Sequence, residues 1–258
     1  MPGRHIDATM DGVALSTIGG IIVREVHEDA PTIETINGER PGRYGQLVLG
    51  KKRQSLKVAI ECLITEIHNL ATRTAKAEAL AKWADGSVLE LSNHPGRVLN
   101  GYLSGEPTLG EVRDYNSPLR IEFTADQVPY WEDKTAITRT ISNAKIATMS
   151  TDFNSGSVPA PLLVTVKPVS TTLTSFSVTA GGKTIALTDI SVGSLQTLYI
   201  DRDERDNLRI RRGTSTSYMS ARTAASADDL MISPGSVSIS ISADQNVNVT
   251  FTYKGRWA

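Results

Sequence analysis

Residues 89–131 read LELSNHPGRVLNGYLSGEPTLGEVRDYNSPLRIEFTADQVPYW, and this stretch decides the fold class. Apolar and polar side chains alternate from residue 119 to residue 124, as they do in a strand with one buried face. Further strand patterns cover residues 88–91 and 97–103, and the stretch closes on a Pro-Tyr-Trp run at 129–131. The region is therefore predicted to form an antiparallel sheet.

One amphipathic helix is predicted just before this sheet, over residues 69–84. Asn69 can accept hydrogen bonds from the free N–H groups of the first helical turn. Gly86 suits a left-handed position after the last turn. The residues at helical spacing that should face the core are Leu70, Ala77, Leu80, Ala81 and Ala84. This is the only helix that the sequence predicts.

The segment before the helix contains a long excursion. Early strands are predicted within residues 11–26 and a buried strand over 56–64, and residues 27–53 between them are punctuated by Gly and Pro. Long loops in compact domains are uncommon and usually serve a function. The second half of this one carries a net charge of +4 from residue 39 to residue 53. The candidate interface residues in it are Arg40, Arg43, Tyr44, Lys51, Lys52 and Arg53.

Three interpretations of this basic segment remain open. It can be a solvated hairpin tip, a protein–protein contact in which Arg and Tyr are favoured, or a contact to nucleic acid. The whole chain has a formal net charge of -1, which disfavours nucleic acid as a general partner.

The composition changes toward Ser, Thr, Val and Ile after residue 134. Residues 150–161 are predicted to be a linker or long turn. Short strands are predicted at 162–166, 175–179, 184–187, 197–200, 208–211, 237–241 and 246–253. Many short strands with polar outer faces indicate a β-sandwich. We therefore expect a mainly β protein with domains over residues 1–133 and 134–258.

The composition is that of a globular chain, with 40% hydrophobic and 21% charged residues among 258. Cys62 is the only cysteine, and its apolar strand context predicts a buried structural thiol. The sequence shows no signal peptide and no run of about 20 apolar residues that could span a membrane. We expect synthesis in a cytoplasm.

No constellation of catalytic residues is recognisable, so we expect neither an enzyme nor a bound cofactor or metal. The histidines, His5, His27, His68 and His94, lack partners at metal-ligand spacing and are interpreted as surface or turn residues. The acidic run 201–206 lacks the sixth-position glycine and closing glutamate of an EF-hand loop and contains two arginines. We interpret it as a solvated loop between strands. A carbohydrate site would need exposed Tyr or Trp, whereas Phe251 and Tyr253 alternate with core positions.

In this order of features the chain resembles the distal tail proteins of long-tailed bacteriophages. The resemblance is carried by the early strands, the long loop, the helix ending near Trp83, the sheet and its Pro129-Tyr130-Trp131 closure. It continues in Leu198-Tyr199-Ile200-Asp201, in the turn Ser233-Pro234-Gly235-Ser236, and in the Tyr-x-x-Arg-Trp pattern from Tyr253 to Trp257. Ser236 departs from the family, which often has Asn there.

The resemblance implies an N-terminal, ring-forming, β-barrel-like domain with one helix and a C-terminal galectin-like β-sandwich. It implies a homohexameric ring at the tail tip of the virion that joins the tail tube protein to the hub protein. The outward sandwich can carry receptor-binding proteins, and neither nucleic-acid binding nor membrane insertion is implied. The alternatives are a major tail tube protein, which shares the ring domain, and a carbohydrate-binding adhesin module.

A closed ring with heterologous contacts needs two different complementary patches on each subunit. We therefore expect residues 27–53 to form a belt across the subunit boundary, with Arg40, Arg43 and Tyr44 near its centre.

Overall fold

The structure is a computed structural model that describes residues 6–38, 47–65, 69–105, 108–109 and 116–258. The protein is mainly β with one α-helix, as predicted. The chain divides into two compact units, Met1–Trp131 together with Ala258, and Glu132–Trp257.

Among its described residues, the first unit contains eleven strands and the helix α1, Leu70–Ala84. The strands before the helix are β1 Ala8–Met10, β2 Val13–Ala14, β3 Ile21–Asp29, β4 Ile33–Gly38, β5 Leu47–Arg53 and β6 Leu56–Ile64. Those after it are β7 Val88–Leu91, β8 Arg97–Asn100, β9 Tyr102–Leu103, β10 Thr108–Leu109 and β11 Ser117–Ala125.

The main wall of this unit is an antiparallel sheet in the order β10-β11-β6-β3. Its central strand, β6, places Ile60 opposite Val26 of β3 and Ile121 of β11. The alternation predicted for β11 is confirmed, because Leu119, Ile121 and Phe123 are buried. Cys62 is also buried here, and burial raises the pKa of its thiol to about 12, so the thiol is inert at neutral pH.

The strands β2, β1, β7 and β8 follow one another in a second sheet of this unit. The turn between β1 and β2 is Asp11-Gly12, in which both residues have positive φ, as a two-residue hairpin turn requires. The Asp11 carboxylate accepts hydrogen bonds from the backbone N–H groups of Ser87 and Val88, at 3.1 and 2.9 Å. The β1–β2 turn is thereby attached to the chain that leaves the helix.

Helix α1 begins as predicted, with the Asn69 side chain accepting from the N–H of Thr72 at 2.8 Å. Of the predicted stripe, Leu80 and Ala84 are buried, Ala77 is half-buried and Ala81 is exposed, so the prediction is wrong at Ala81. The side chain of Leu70 lies outside what the structure describes, and Trp83 is buried although the stripe did not include it. The expectation of a left-handed Gly86 is also wrong, since the described residues with positive φ do not include it. Gly86 is needed for close packing, because a Cβ there would collide with the Met10 side chain.

The second unit consists of strands, with one short 3-10 turn at Met219–Ala221. The strand β12, Trp131–Asp133, begins at the last residue of the first unit's main segment. The strands in the first half of the second unit are then β13 Ile137–Asn154, β14 Ala160–Pro161, β15 Leu163–Pro168, β16 Phe176–Ala180 and β17 Lys183–Leu187. Those in the second half are β18 Leu198–Arg202, β19 Leu208–Arg212, β20 Thr216–Ser217, β21 Met231–Ile232, β22 Gly235–Tyr253 and β23 Arg256–Trp257.

Two predictions for this unit are wrong in length. The predicted strands 237–241 and 246–253 form one continuous strand, β22, and the predicted linker 150–161 begins inside the 18-residue strand β13. β22 pairs with β13 along one edge and with β16 and then β15 along the other. Residues of β15, β16 and β22 meet in one buried cluster, whose largest members include Phe176, Phe251 and Tyr253, and partly buried residues of β13 pack against it.

An arginine network occupies one end of this unit, around the predicted acidic loop 201–206. The Asp201 carboxylate accepts from Arg209 Nε at 2.8 Å and from Arg211 Nη2 at 2.6 Å. The Asp206 carboxylate accepts two hydrogen bonds from the buried Arg256. The segment does connect two strands, as predicted. Asp201 and Asp206 at its ends form ion pairs with arginines, so it is not a freely solvated loop.

The Asp201 ion pairs make a pH-dependent contribution to stability. Burial raises the pKa of the Asp201 carboxyl, but the hydrogen bonds from Arg209 and Arg211 outweigh burial and leave the pKa below its ordinary value. A lowered pKa stabilises the fold above the pKa of an unfolded aspartate, about 3.9, and this stabilisation is lost as the pH falls through the folded-state pKa. We expect Asp201→Asn to lower the free energy of unfolding at pH 7 and to flatten its decline below about pH 4.

Urea denaturation at a series of pH values measures this effect. The matched control is Asp228→Asn, because the Asp228 side chain is 99% exposed and its pair with Arg222 should contribute little. The expectation is contradicted if Asp201→Asn declines in stability below pH 4 as steeply as the unchanged protein.

Candidate interaction surface

Within the predicted belt, residues 33–38 and 47–53 form the two strands of a hairpin, which was one of the interpretations of this segment. β4 and β5 pair antiparallel from Ile33 opposite Arg53 to Gly38 opposite Leu47. In the parts of the chain that the structure describes, neither strand pairs with any third strand. Every residue of β4 before Gly38 is exposed. The hairpin connects two neighbours of the main wall, β3 and β6, and forms a two-stranded sheet of its own.

The predicted interface residues fall on this ribbon only in part. Arg40, Arg43 and Tyr44 lie outside the described residues, and Lys51 and Lys52 are placed by backbone register opposite Thr35 and Glu34. Arg53 is at the base of the hairpin, where its guanidinium lies 5.1 Å from the centre of the Tyr130 ring. Arg53 therefore connects the foot of the hairpin to the Pro-Tyr-Trp segment through a cation–π contact.

The exposed apolar residues of the hairpin are Ile33 and Ile36, which expose 59% and 46% of their surface. Ile36 lies opposite Gly50 in the backbone register, and Glu34 lies opposite Lys52. Glu34 precedes it by two residues and shares its face of the ribbon. The Glu34 carboxylate accepts a hydrogen bond from Gln54 Nε2 at 3.0 Å. This face thus presents an apolar side chain beside an acidic one.

A groove of about 560 Å³ lies between the β1–β2 hairpin and the end of helix α1. Its floor is apolar and includes Met10, Ile18, Ala79 and Trp83, and its rim includes Lys82 and Asp85. The Trp83 indole N–H donates to the Val13 carbonyl at 2.7 Å, so the polar atom of this ring is already satisfied within the chain. The sequence did not predict this groove, because its walls come from segments about 70 residues apart.

The closing Trp131 is fixed by residues from two other elements of the first unit. Its indole N–H donates to Glu28 Oε2 at 3.2 Å, and its ring stacks on the His94 imidazole with the ring centres 4.7 Å apart. His94 Nε2 in turn lies 2.8 Å from Glu28 Oε1. His94 is a turn residue, as predicted, but it also supports the wall by fixing Trp131.

Glu25, His27 and Glu61 form an exposed cluster on the outer face of the β3–β6 pair, with potential ligand atoms within 4.8 Å of one another. His27 Nε2 lies 3.6 Å from Glu25 and 3.7 Å from Glu61. Arg120 approaches the same Glu61 carboxylate at 3.9 Å. The cluster therefore combines two carboxylates with His27 and Arg120 along a sheet surface.

Four described aromatic residues of the second unit, Tyr199, Tyr218, Phe251 and Tyr253, bear on the carbohydrate-binding alternative. Phe251 and Tyr253 are buried, as their alternation predicted. Arg211 lies over the Tyr199 ring, 4.7 Å from its centre, and Arg212 lies 6.0 Å from the centre of the Tyr218 ring. Each arginine lies against one face of a tyrosine ring and leaves less of that ring free for stacking on a sugar.

Comparison with known proteins identifies the fold. The chain is similar to the Dit protein of phage SPP1, described as a paradigm of the hub adsorption apparatus in phages that infect Gram-positive bacteria, with a TM-score of 0.69 and 17% sequence identity over 96% of this chain and 98% of that chain. Two structures of the phage P2 baseplate in its activated conformation, with Ca and with Sr, match at TM-scores of 0.43 and 0.42 and 9% identity, each covering 97% of both chains. No family model and no curated protein matches this sequence.

The resemblance to distal tail proteins is therefore confirmed at the level of the fold. The likeness spans both units, since it covers 96% of the chain. In the parts of the chain that the structure describes, no helix has the length and apolarity needed to cross a bilayer.

Proposed function

We propose that this protein is a structural, non-enzymatic component of a phage tail: a distal tail protein whose copies assemble into a hexameric ring between the tail tube and the tail tip or baseplate. The fold shared with SPP1 Dit along nearly the whole chain supports this proposal. The ring-forming part is residues 1–133, and the galectin-like part is residues 134–258. The site of action is the tail tip of the virion.

The observation that carries the proposal is the isolated β4–β5 hairpin. A two-stranded hairpin alone is marginally stable in water, and exposed isoleucines on it add to the cost of leaving it uncovered. Ile33 and Ile36 are both exposed in the single chain. A neighbouring subunit that covers the hairpin removes this cost, and repeating the same contact around an axis closes a ring.

The partners of such a ring are the tail tube protein on one face and the hub protein on the other. Receptor-binding proteins are carried by the second unit. The chain's formal charge of -1 agrees with protein partners and gives no general attraction for nucleic acid.

Reversing charge at the centre of the proposed belt tests this function. We expect Arg40→Glu combined with Arg43→Glu to convert rings into monomers, because each contact would lose two positive charges and gain two negative charges in their place. Light scattering coupled to size-exclusion chromatography gives the mass. The matched control is Lys145→Glu with Lys183→Glu, which makes the same net change at two exposed positions of the second unit. Rings that persist in the Arg40/Arg43 variant contradict a belt centred on these residues.

A further inference from the structure

Among the residues that the structure describes, one group of side chains has the composition and the spacing of a metal site. Glu25 and His27 lie two residues apart on β3, so they share a face of the strand, and Glu61 lies beside them on β6. One imidazole nitrogen and two carboxylate oxygens of this group lie within 4.8 Å of one another. The sequence offered no partner for His27 at metal-ligand spacing, because Glu61 comes from a strand that is distant along the chain.

A β-bulge in β3 brings the two carboxylates together. Val23 lies opposite Cys62. If this register continued, the next residue, Arg24, would lie opposite Glu61 and form a pair of opposite charges. The register instead shifts by one residue after Val23, so Glu25 lies opposite Glu61. Bulges re-aim side chains, and this one produces a like-charge pair, which is destabilising between strands.

Arg120 compensates this negative charge only in part. It lies opposite Glu61 on the other side of β6, and its Nη1 is 3.9 Å from Glu61 Oε1. Glu122 holds the same guanidinium more closely, with its Oε1 3.0 Å from both Arg120 Nε and Nη2. Three carboxylates around one guanidinium leave a surplus of negative charge, which attracts a cation to this face of the sheet.

The ligand types and distances suit Zn²⁺. Zn²⁺ lies about 2.0–2.2 Å from imidazole nitrogen and carboxylate oxygen, so two ligand atoms of a tetrahedral site are about 3.4 Å apart. His27 Nε2 lies 3.6 Å from Glu25 Oε2 and 3.7 Å from Glu61 Oε1, and small rotations of these partly exposed side chains would close the difference. Ca²⁺ and Mg²⁺ prefer all-oxygen ligand sets, so the imidazole favours a transition-metal ion.

We propose that Glu25, His27 and Glu61 bind one Zn²⁺ ion per chain on the outer face of the main wall. The imidazole and the two carboxylates supply three ligands, and water completes the coordination. The ion offsets the repulsion between the carboxylates and connects β3 to β6. This site is independent of the proposed ring, because all three ligands belong to one chain.

Titration calorimetry with ZnCl₂, on untagged protein that has been treated with a chelator and desalted, is the first test. We expect one ion per chain and a Kd in the micromolar range. The variants His27→Ala, Glu25→Gln and Glu61→Gln should each weaken binding at least about tenfold, because each removes one ligand. Glu78→Gln is the matched control, since it removes an exposed carboxylate from helix α1. Circular dichroism checks that every variant folds.

Removing Arg120 separates a metal site from a cluster of ion pairs. Arg120→Gln deletes a positive charge that lies 3.9 Å from a proposed ligand atom, so the affinity for Zn²⁺ should rise at least about twofold. Lys82→Gln is the matched control, because it deletes a positive charge from an exposed position of helix α1. Unchanged or weaker binding in Arg120→Gln would contradict the assignment of Glu61 as a ligand.

The histidine signals in NMR spectra identify the ligand directly. Zn²⁺ should shift the imidazole signals of His27 and leave those of His94 in place, because His94 already contacts Glu28 and stacks on Trp131. The zinc site is wrong if no Zn²⁺ binds up to millimolar concentration, or if His27→Ala leaves the affinity unchanged. Either result leaves the ring proposal intact, since the ring is tested by the mass of the assembled particle.

Discussion

Replacing Arg256 with methionine is expected to lower the free energy of unfolding by about 3 kcal/mol, at the lower end of the range for a broken buried ion pair. The Arg256 side chain is only 4% exposed. It donates to both carboxylate oxygens of Asp206, at 2.8 and 2.9 Å, and to Glu132 Oε1 at 2.9 Å. Methionine fills similar volume but leaves two carboxylates without their main cation.

Two further variants separate charge from geometry. Arg256→Lys keeps the charge but loses the planar fork that engages Asp206 through two bonds, so we expect an intermediate loss. Arg222→Met is the matched control, because its partner Asp228 is 99% exposed and such pairs contribute below about 1 kcal/mol. Urea denaturation, monitored by circular dichroism, measures the free energy of unfolding of all three variants. A loss below about 1 kcal/mol for Arg256→Met would show that the network contributes nothing beyond a surface pair.

Replacing Trp131 with alanine is expected to lower the free energy of unfolding by about 3–5 kcal/mol, as for other large aromatic residues in a core. Trp131 is 4% exposed, stacks on His94, and donates its indole N–H to Glu28. Alanine removes this packing and leaves the Glu28 and His94 side chains without the ring that lies against them. The loss of stability should therefore affect the first unit, whose main segment ends at Trp131.

Trp131→Phe is the conservative comparison for this position. Phenylalanine can keep the stack on His94 but cannot donate to Glu28, so we expect a loss nearer 1 kcal/mol. The comparison uses the same urea titration, followed by circular dichroism because the substitution removes a fluorophore. Equal losses in the two variants would contradict a packing role for the ring and would assign the effect to the hydrogen bond.

Where strands alternate strictly or lie in apolar runs, the sequence predicted the fold well. β6 and β7 have the predicted limits, and the predicted strand 119–124 lies within β11. The helix start was also predictable, because an Asn cap acts on the N–H groups of its own first turn. These features depend on local chemistry or on one buried face, and both leave a pattern in the sequence.

The sequence of strand β13 shows a much weaker strand pattern. It contains a run of Thr, Ser and Ala residues, and only its pairing with β22 along its whole length defines it as a strand. Its register is interrupted between Ile141 and Ala144, between Ala144 and Ile146, and again between Thr151 and Asn154, so a two-residue alternation is not maintained. Such an edge strand is determined by its partner more than by its own residues.

Of the two features of the candidate surface, the hairpin and the groove, the sequence indicated only the hairpin. Gly, Pro and basic residues marked the segment 27–53 as an unusual insertion and left a hairpin tip as one interpretation. The pairing from Ile33 opposite Arg53 joins residues far apart within the segment, so its register was not readable locally. The groove depends on Met10, Ile18 and Trp83 meeting in space. No spacing rule connects these residues, so only the folded chain reveals them.

The mass of the assembled particle in solution, measured by light scattering and paired with electron microscopy of the same sample, tests the central proposal most directly. We predict a mass near six times the 27.8 kDa of one chain, with ring-shaped particles, or twice that mass for paired rings. Long tubes would instead identify a tail tube protein. A stable 27.8 kDa monomer at high concentration would contradict the ring.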